Sequence, residues 1–198
     1  MSCEPWQCAE IAATKKANPI QKPEIAVAMI KKASRPILIV GSNATERWME
    51  GKQLIEYLID FAKASKLQVV ATAHIVGEFL KRGYEPAGFM SAMDIGNRLV
   101  DPEWQGIDGK GHPDLVLLIG LPYYMEALIL SGFKHFAPDL KTMTLDNMYH
   151  AHASWSFPNA TLEEWAANLK VMTSKFEEAS AENIGRPEKT VSLTCFNT

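Results

Sequence analysis

Cysteine is scarce in this sequence, because only Cys3, Cys8 and Cys195 carry thiols among its 198 residues. An odd and sparse set does not provide the disulfide framework of a small secreted domain. It also does not provide the closely spaced ligands, typically four, that an iron–sulfur cluster or a structural zinc site requires. We therefore predict free thiols in a reducing compartment and no metal site in this chain.

Long apolar runs and an excess of positive charge are also absent. No stretch reaches the roughly 18 apolar residues of a transmembrane helix, and the N-terminal MSCEPWQCAE lacks the apolar core of a secretory signal. The formal net charge of −3 does not indicate a polybasic surface for nucleic acid. These absences predict a cytoplasmic protein that binds neither membranes nor nucleic acid.

The sequence does contain short apolar runs that are typical of strands covered on both faces of a sheet. They lie at 37–40, 67–73, 114–119 and 140–146, and the segment WSFPN at 155–159 has an extended pattern. Helical patterns separate them, over about 23–34, 44–65, 75–82, 91–99 and 122–136, with 87–111 otherwise irregular. Thr161 and Glu164 form a capping box for a last helix that reaches about residue 179.

This alternation predicts the fold class. Buried strands that alternate with helices form a doubly wound parallel sheet with helices on both faces. We assign one α/β domain to residues 23–180, an N-terminal tail to 1–22 and a C-terminal tail to 181–198.

Two glycine turns have the geometry of an anion site. Gly41 and Gly120 each follow a buried strand and precede a helix, so that N–H groups at the helix terminus could meet a phosphate. Pro122 removes one donor after Gly120, which favours Gly41, Ser42 and Asn43 as the better cradle.

Other polar residues lie where the strands end. Thr72 and His74 follow the second strand, at the carboxyl edge where open parallel sheets bind ligands. Asp146 ends a later strand and could contact a ribose. His150 and His152 could share one side of an extended segment, but without a third ligand we interpret them as surface or interface histidines.

The segment DPEWQGIDGKGHPDLVLLIG, from Asp101 to Gly120, places three glycines before a strand rather than after one. We interpret them as a tight loop that leads into the strand. The aromatic residue of this segment, Trp104, is either a cover for the core or an interface anchor. Four further aromatic residues could likewise either pack in the core or contact a partner. The five interface candidates are therefore Trp104, Tyr123, Tyr124, Trp155 and Phe157.

Four segments have a joint pattern that is found in one known family. They are RPILIVGS (35–42), VDPEWQGIDGKGHPDLVLLIG (100–120), LKTMTLD (140–146) and SFPNAT (156–161). Over about residues 23–180 the chain resembles the epsilon subunit of the archaeal acetyl-CoA decarbonylase/synthase complex. That subunit is the small partner of the nickel–iron carbon monoxide dehydrogenase alpha subunit. The first segment alone also resembles the central domains of thiamine-dependent enzymes.

The resemblance implies a fold of the type that binds FAD or NAD, with Gly41, Ser42, Asn43, Thr72, His74 and Gly120 as candidate cofactor contacts. It implies a non-catalytic subunit in an alpha2-epsilon2 assembly of one-carbon metabolism, such as methanogenesis. The partners would be the alpha subunit and other subunits of the complex, with the nickel–iron–sulfur clusters in the partner only. The epsilon subunit would stabilise alpha, assist electron transfer to FAD, or do both.

The alternative is a freestanding flavin- or nicotinamide-binding oxidoreductase, or a thiamine-enzyme-like domain. Thiamine enzymes use a Gly-Asp-Gly motif, and here Ile107 precedes Asp108 and Gly109. Flavin absorbance in the purified protein would favour this alternative.

Overall fold

The computed structural model describes residues 4–11 and 13–184. Seven parallel strands form the main sheet, in the order β1-β9-β8-β7-β2-β5-β6. The strands β3 and β4 form a separate antiparallel hairpin. The strands are β1 (Asn18–Pro19), β2 (Pro36–Val40), β3 (Trp48–Met49), β4 (Lys52–Gln53), β5 (Gln68–Thr72), β6 (Gly88–Met90), β7 (Leu115–Ile119), β8 (Lys141–Thr144) and β9 (Trp155–Ser156).

Helices connect these strands on both faces of the sheet, which confirms the predicted α/β class with a parallel sheet. Short 3-10 turns occupy Pro5–Gln7 and Ala73–Ile75. The helices are α1 (Pro23–Lys32), α2 (Asn43–Glu46), α3 (Leu54–Ser65), α4 (Val76–Lys81), α5 (Ala92–Val100), α6 (Tyr123–Phe136) and α7 (Leu162–Ile184).

The sheet separates two hydrophobic cores because successive side chains of a strand point to opposite faces. Leu38 and Val40 of β2 pack with α1, α3 and α7 in one core. Ile37 and Ile39 of the same strand pack with α5 and α6 in the other. The chain winds from β2 to β5 and β6, and then returns to β7 on the other side of β2. The switch point of the sheet therefore lies between β2 and β7.

One predicted helix is wrong. The pattern over 44–65 suggested a continuous helix, but α2 ends at Glu46 and the hairpin of β3 and β4 comes before α3. The hairpin turns at Glu50 and Gly51, whose φ angles are +48° and +80°. Two residues with left-handed angles cannot form part of a right-handed helix, so a continuous helix over 44–65 is excluded. The short strand β6, in the segment predicted to be irregular, was also missed.

The N-terminal segment contributes to the domain. Asn18 and Pro19, within the predicted tail, pair with β9, and Trp6 packs against the core beneath α5 and α6. Cys8, for which we predicted a free thiol, is disulfide-bonded. A set of three cysteines excludes a framework of several bridges but still permits one pair.

The glycine loop lies at the amino edge of the sheet, before β7. Gly106, Gly109 and Gly111 all have positive φ angles, of +74°, +69° and +128°. Arg35, at the start of β2, donates from Nε to the carbonyl of Gly111 at 2.9 Å and pairs with Asp108. The loop is thus fastened to the neighbouring strand, away from the edge where the candidate site lies.

Within residues 4–11 and 13–184, no helix combines the length and the apolar character that crossing a bilayer would require.

Candidate functional site at the carboxyl edge of the sheet

The two glycine turns predicted from the sequence pack directly against each other at the switch point. The N–H of Gly41 donates to the carbonyl of Ile119 at 2.9 Å. A Cβ atom on Gly41 would lie 2.3 Å from the carbonyl oxygen of Gly120, a distance that no side chain tolerates. Gly120 has a φ of +72°, which favours glycine. Both glycines are therefore required to close the space between β2 and β7.

The predicted anion cradle uses its N–H groups internally. Asn43 donates its N–H to the carbonyl of Gly120 at 2.8 Å, Ala44 to that of Gly41 at 3.1 Å, and Thr45 to that of Ser42 at 3.1 Å. The helix that follows, α2, contains only four residues. The three N–H groups at this turn therefore already have acceptors within the chain.

Thr72 and His74 lie on the other side of β2, at the end of β5. Thr72 is buried, and its hydroxyl has no hydrogen-bond partner among the described residues. His74 is exposed in the 3-10 turn that follows. The sheet order separates these two residues from Gly120 and from the polar cluster described next.

Two carboxylates meet beside Gly120. Asp146 follows β8 and is 5% exposed, and both of its carboxylate oxygens accept the N–H of Gly120 at 3.1 Å. Glu126 lies in the first turn of α6 and has no solvent exposure. Neither oxygen of Glu126 has a hydrogen-bond partner among the described residues. A buried carboxyl group in this situation must be neutralised by a proton or by a cation.

His150 completes the cluster. Its Nε2 lies 3.6 Å from Oε2 of Glu126, and atoms of all three side chains lie within 4.8 Å of one another. The histidine is 2% exposed, so its interpretation as a surface residue is wrong. Its backbone N–H donates to Oγ of Ser156 at 3.0 Å. Its ring stacks on that of Tyr123 with 4.2 Å between the centroids.

Burial dominates the electrostatics of the cluster. Burial, followed by the negative charge of Asp146, raises the pKa of Glu126 well above its usual value. Burial also raises the pKa of Asp146, against the close approach of the Glu126 side chain, the hydrogen bond from Gly120 and the charge of Arg47. Burial and repulsion by His152 lower the pKa of His150 to about 3, so its imidazole is neutral and can act as a ligand or acceptor.

Arg47 lies next to this cluster. Its guanidinium donates to the side-chain oxygen of Asn147 and lies over the ring of Trp165, 5.7 Å from the centroid. Its charge lowers the pKa of both carboxyl groups. Arg47 therefore supplies one positive charge against two acidic side chains.

The sequence contained one signal for this cluster. Glu126 is the only charged residue between Tyr123 and Phe133, and the residues on either side of it in this predicted helix are mostly apolar. A single acid within such a segment suggests a buried functional group. Its partners Asp146 and His150 are distant in sequence, and only the fold brings them together.

The interface candidates lie in different surroundings. Tyr124 is 61% exposed and Phe157 is 2% exposed. The other three are half-buried: Tyr123 stacks on His150, Trp104 packs edge-on to His112, and Trp155 packs against the core. In the isolated chain, Tyr124 presents its ring most openly.

Comparison with known proteins identifies the family. Residues 1–192 match the family described as CO dehydrogenase beta subunit/acetyl-CoA synthase epsilon subunit. The chain is 40% identical over 170 residues to the acetyl-CoA decarbonylase/synthase complex subunit epsilon of Methanothermobacter thermautotrophicus, covering 85% of this chain and 93% of that protein.

Two further relatives agree with this assignment. Subunit epsilon 1 of the same complex in Archaeoglobus fulgidus is 34% identical over 158 residues, which cover 79% of this chain and 82% of the relative. Subunit epsilon 1 in Methanosarcina barkeri is 31% identical over 147 residues, which cover 74% and 82%. The resemblance found in the four sequence segments is confirmed, and this chain belongs to the epsilon-subunit family of the archaeal acetyl-CoA decarbonylase/synthase complex.

Proposed function

We propose that this chain is a non-catalytic subunit that docks through α6 on the nickel–iron alpha subunit of carbon monoxide dehydrogenase. The assembly would be an alpha2-epsilon2 component within the larger complex, and docking would stabilise alpha. The observation that carries the docking surface is an uncharged, solvent-exposed face of α6.

This face is centred on two residues one turn apart. Tyr124 is 61% exposed and Leu128 is 62% exposed. Residues four apart lie on the same side of a helix, so the two side chains form one apolar strip. The only charged residue between Tyr123 and Phe133 is Glu126, which is buried. Aromatic and apolar residues without charges are typical of the centre of a protein–protein interface.

The neighbouring helix adds to this surface. Gly96 of α5 faces Ile129 of α6, and a Cβ atom at Gly96 would lie 3.7 Å from its side chain. The two helices therefore pack closely. Met93, one turn earlier on α5, is 47% exposed. Exposed apolar residues on adjacent helices favour a protein partner over solvent.

A role in electron transfer to FAD receives less support from this chain. The N–H groups of Asn43, Ala44 and Thr45 already have backbone acceptors, and Gly41 packs against Gly120 where a diphosphate would approach. The N–H of Gly120 is also occupied, because it donates to the carboxylate of Asp146 at 3.1 Å. These residues do not fit a dinucleotide cradle, and we therefore assign the stabilising role to the chain.

Co-expression with the alpha subunit tests the docking surface. We expect the double substitution Tyr124→Ser and Leu128→Ser to reduce co-purification at least about tenfold, because central apolar anchors dominate interface energies. The matched control is Ile25→Ser with Leu162→Ser, which removes residues 47% and 46% exposed on α1 and α7. Equal recovery of alpha with both double variants would contradict the proposal.

Two measurements test the stabilising role and the absence of a cofactor. Alpha mixed with the native chain should keep its carbon monoxide oxidation activity longer at elevated temperature than alpha alone, and the chain alone should have none. The purified chain should be colourless and show no thermal shift with FAD or NAD. Flavin absorbance or a shift would instead favour a flavin- or nicotinamide-dependent oxidoreductase.

A further inference from the structure

We propose that Glu126, Asp146 and His150 bind a first-row divalent metal ion, such as Zn²⁺, Mn²⁺ or Fe²⁺, at the carboxyl edge of the sheet. The sequence alone predicted no metal in this chain, because its cysteines are few and its histidines lack a recognisable third ligand. The fold supplies that ligand set from three separate segments. The inference does not depend on how the chain docks on its partner.

The ligand types and their spacing fit such an ion. Two carboxylates and one imidazole form a mixed oxygen and nitrogen set, which suits first-row divalent ions better than Ca²⁺ or Mg²⁺, whose ligands are mainly oxygen. Two ligands about 2.1 Å from one ion lie at most about 4.2 Å apart. The 3.6 Å between Nε2 of His150 and Oε2 of Glu126 already satisfies this limit. The three ligand atoms all lie within 4.8 Å of one another, so small side-chain rotations suffice.

The unsatisfied atoms provide the second, independent observation. Glu126 has no solvent exposure, and neither of its oxygens has a hydrogen-bond partner in the part of the chain that is described. Its Oε2 instead lies 3.6 Å from Nε2 of His150. A buried carboxylate left without a donor is strongly unfavourable. A bound cation would satisfy these oxygens in the place where the structure leaves them.

The charged groups around the cluster also favour a bound cation. Among the described residues, Arg47 is the basic group whose charge lowers the pKa of both Glu126 and Asp146. Once both carboxyl groups are ionised, as metal ligation requires, two carboxylates face this one guanidinium, and a divalent ion would supply the further positive charge.

Neighbouring groups hold two of the ligands in place, as in established metal sites. The N–H of Gly120 contacts both oxygens of Asp146 at 3.1 Å. The ring of Tyr123 stacks on His150, and the Tyr123 hydroxyl donates to the carbonyl of Tyr149 at 3.0 Å. This arrangement fixes the plane of the imidazole.

Metal analysis of the tag-free full-length chain tests the inference. The chain is expressed in cells grown with added zinc or manganese. In a second preparation it is unfolded and then refolded with each ion, because the cluster is buried. After dialysis, inductively coupled plasma mass spectrometry should find about one ion per chain. X-ray absorption of the zinc-loaded wild type should show nitrogen and oxygen at about 2.0–2.2 Å and no sulfur at about 2.3 Å. This spectrum needs no variant, so it remains informative if a substitution prevents folding.

Matched variants locate the site. Glu126→Gln and His150→Ala should weaken metal binding at least about tenfold, whereas the exposed controls Glu103→Gln and His135→Ala should retain it. The proposal is overturned if the wild type holds no ion by either route, if sulfur surrounds the zinc, or if both cluster variants bind like the wild type. If the wild type holds no ion and the Glu126→Gln variant has the same melting temperature as the wild type, a shared proton satisfies the cluster instead.

Discussion

The backbone N–H of Gly120 points at the carboxylate of Asp146 and lies 3.1 Å from each of its two oxygens. This contact joins the end of β7 to the segment after β8, across the edge where β2, β7 and β8 terminate. A buried donor of this kind needs an acceptor, because water does not reach it. The contact therefore fixes both the turn at the switch point and one wall of the acidic cluster.

Removing that acceptor should destabilise the protein. We expect Asp146→Ala to lower the free energy of unfolding by about 1–3 kcal/mol, because the Gly120 N–H is left buried without a partner. Asp146→Asn, which keeps one oxygen, should cost less. Urea denaturation of the metal-free protein measures both, with the exposed Asp139→Ala as control. Equal stability of Asp146→Ala and Asp139→Ala would show that the contact contributes nothing.

A methyl group at the switch point should be poorly tolerated. Gly41→Ala places a Cβ 2.3 Å from the carbonyl oxygen of Gly120, and the two turns must separate to accept it. We expect a loss of about 2–3 kcal/mol in unfolding free energy. The matched control is Gly77→Ala in α4, where a Cβ meets nothing within 4 Å and alanine should be neutral or stabilising by up to about 1 kcal/mol. Thermal and urea unfolding together decide between these outcomes.

The indole of Trp165 should be a major contributor to stability. It is 1% exposed, and its Nε1 donates to the carbonyl of Leu145 at 2.7 Å. Trp165→Phe removes both volume and donor, and we expect a cost of about 2–4 kcal/mol. Trp48→Phe, at a position 59% exposed, should change stability by less than about 0.5 kcal/mol. Similar effects at both positions would contradict this assignment.

The capping box of α7 should make stability depend on pH. Oε2 of Glu164 accepts from the N–H of Thr161 at 2.9 Å and from its hydroxyl at 3.1 Å. These bonds lower the pKa of Glu164 below its usual value of 4.5. A group whose pKa is lower in the folded state stabilises the protein above its unfolded pKa and loses this effect as pH falls through the folded pKa.

The stability advantage of wild type over Glu164→Gln should therefore be present at pH 7 and decline from about pH 4.5 downward. Parallel urea titrations at several pH values measure the difference, and Glu163→Gln reports the effect of removing one charge from the same turn. A difference that stays constant down to pH 3 would disprove the assignment to the cap.

Local signals in the sequence predicted much of the fold. The capping box of Thr161 and Glu164 is present, with the Glu164 N–H donating to the Thr161 hydroxyl at 3.2 Å. The buried runs became β2, β5, β7 and β8, because a strand covered on both faces must be apolar throughout. The prediction of a continuous helix over 44–65 was wrong because the turn at Glu50 and Gly51 depends on backbone angles that helical periodicity does not reveal.

The acidic cluster was harder to predict than the sheet. Asp146 was visible as a residue after a buried strand, but its most important partner, Gly120, is 26 positions away. Gly41 and Gly120 were correctly placed at the strand ends, although no pattern in the sequence indicated that they close the space between β2 and β7. Such contacts depend on the order of strands in the sheet, which a single sequence does not contain.

The two outermost strands of the sheet are very short. β1 contains only Asn18 and Pro19, and β6 contains only Gly88 to Met90. Proline has no N–H to donate, and so few residues offer little template for an incoming strand. Assembly by lateral extension of the sheet is thereby discouraged, as is amyloid-like stacking. Within the described residues, the side chains on helices and loops therefore offer a partner more surface to contact than the edges of the sheet do.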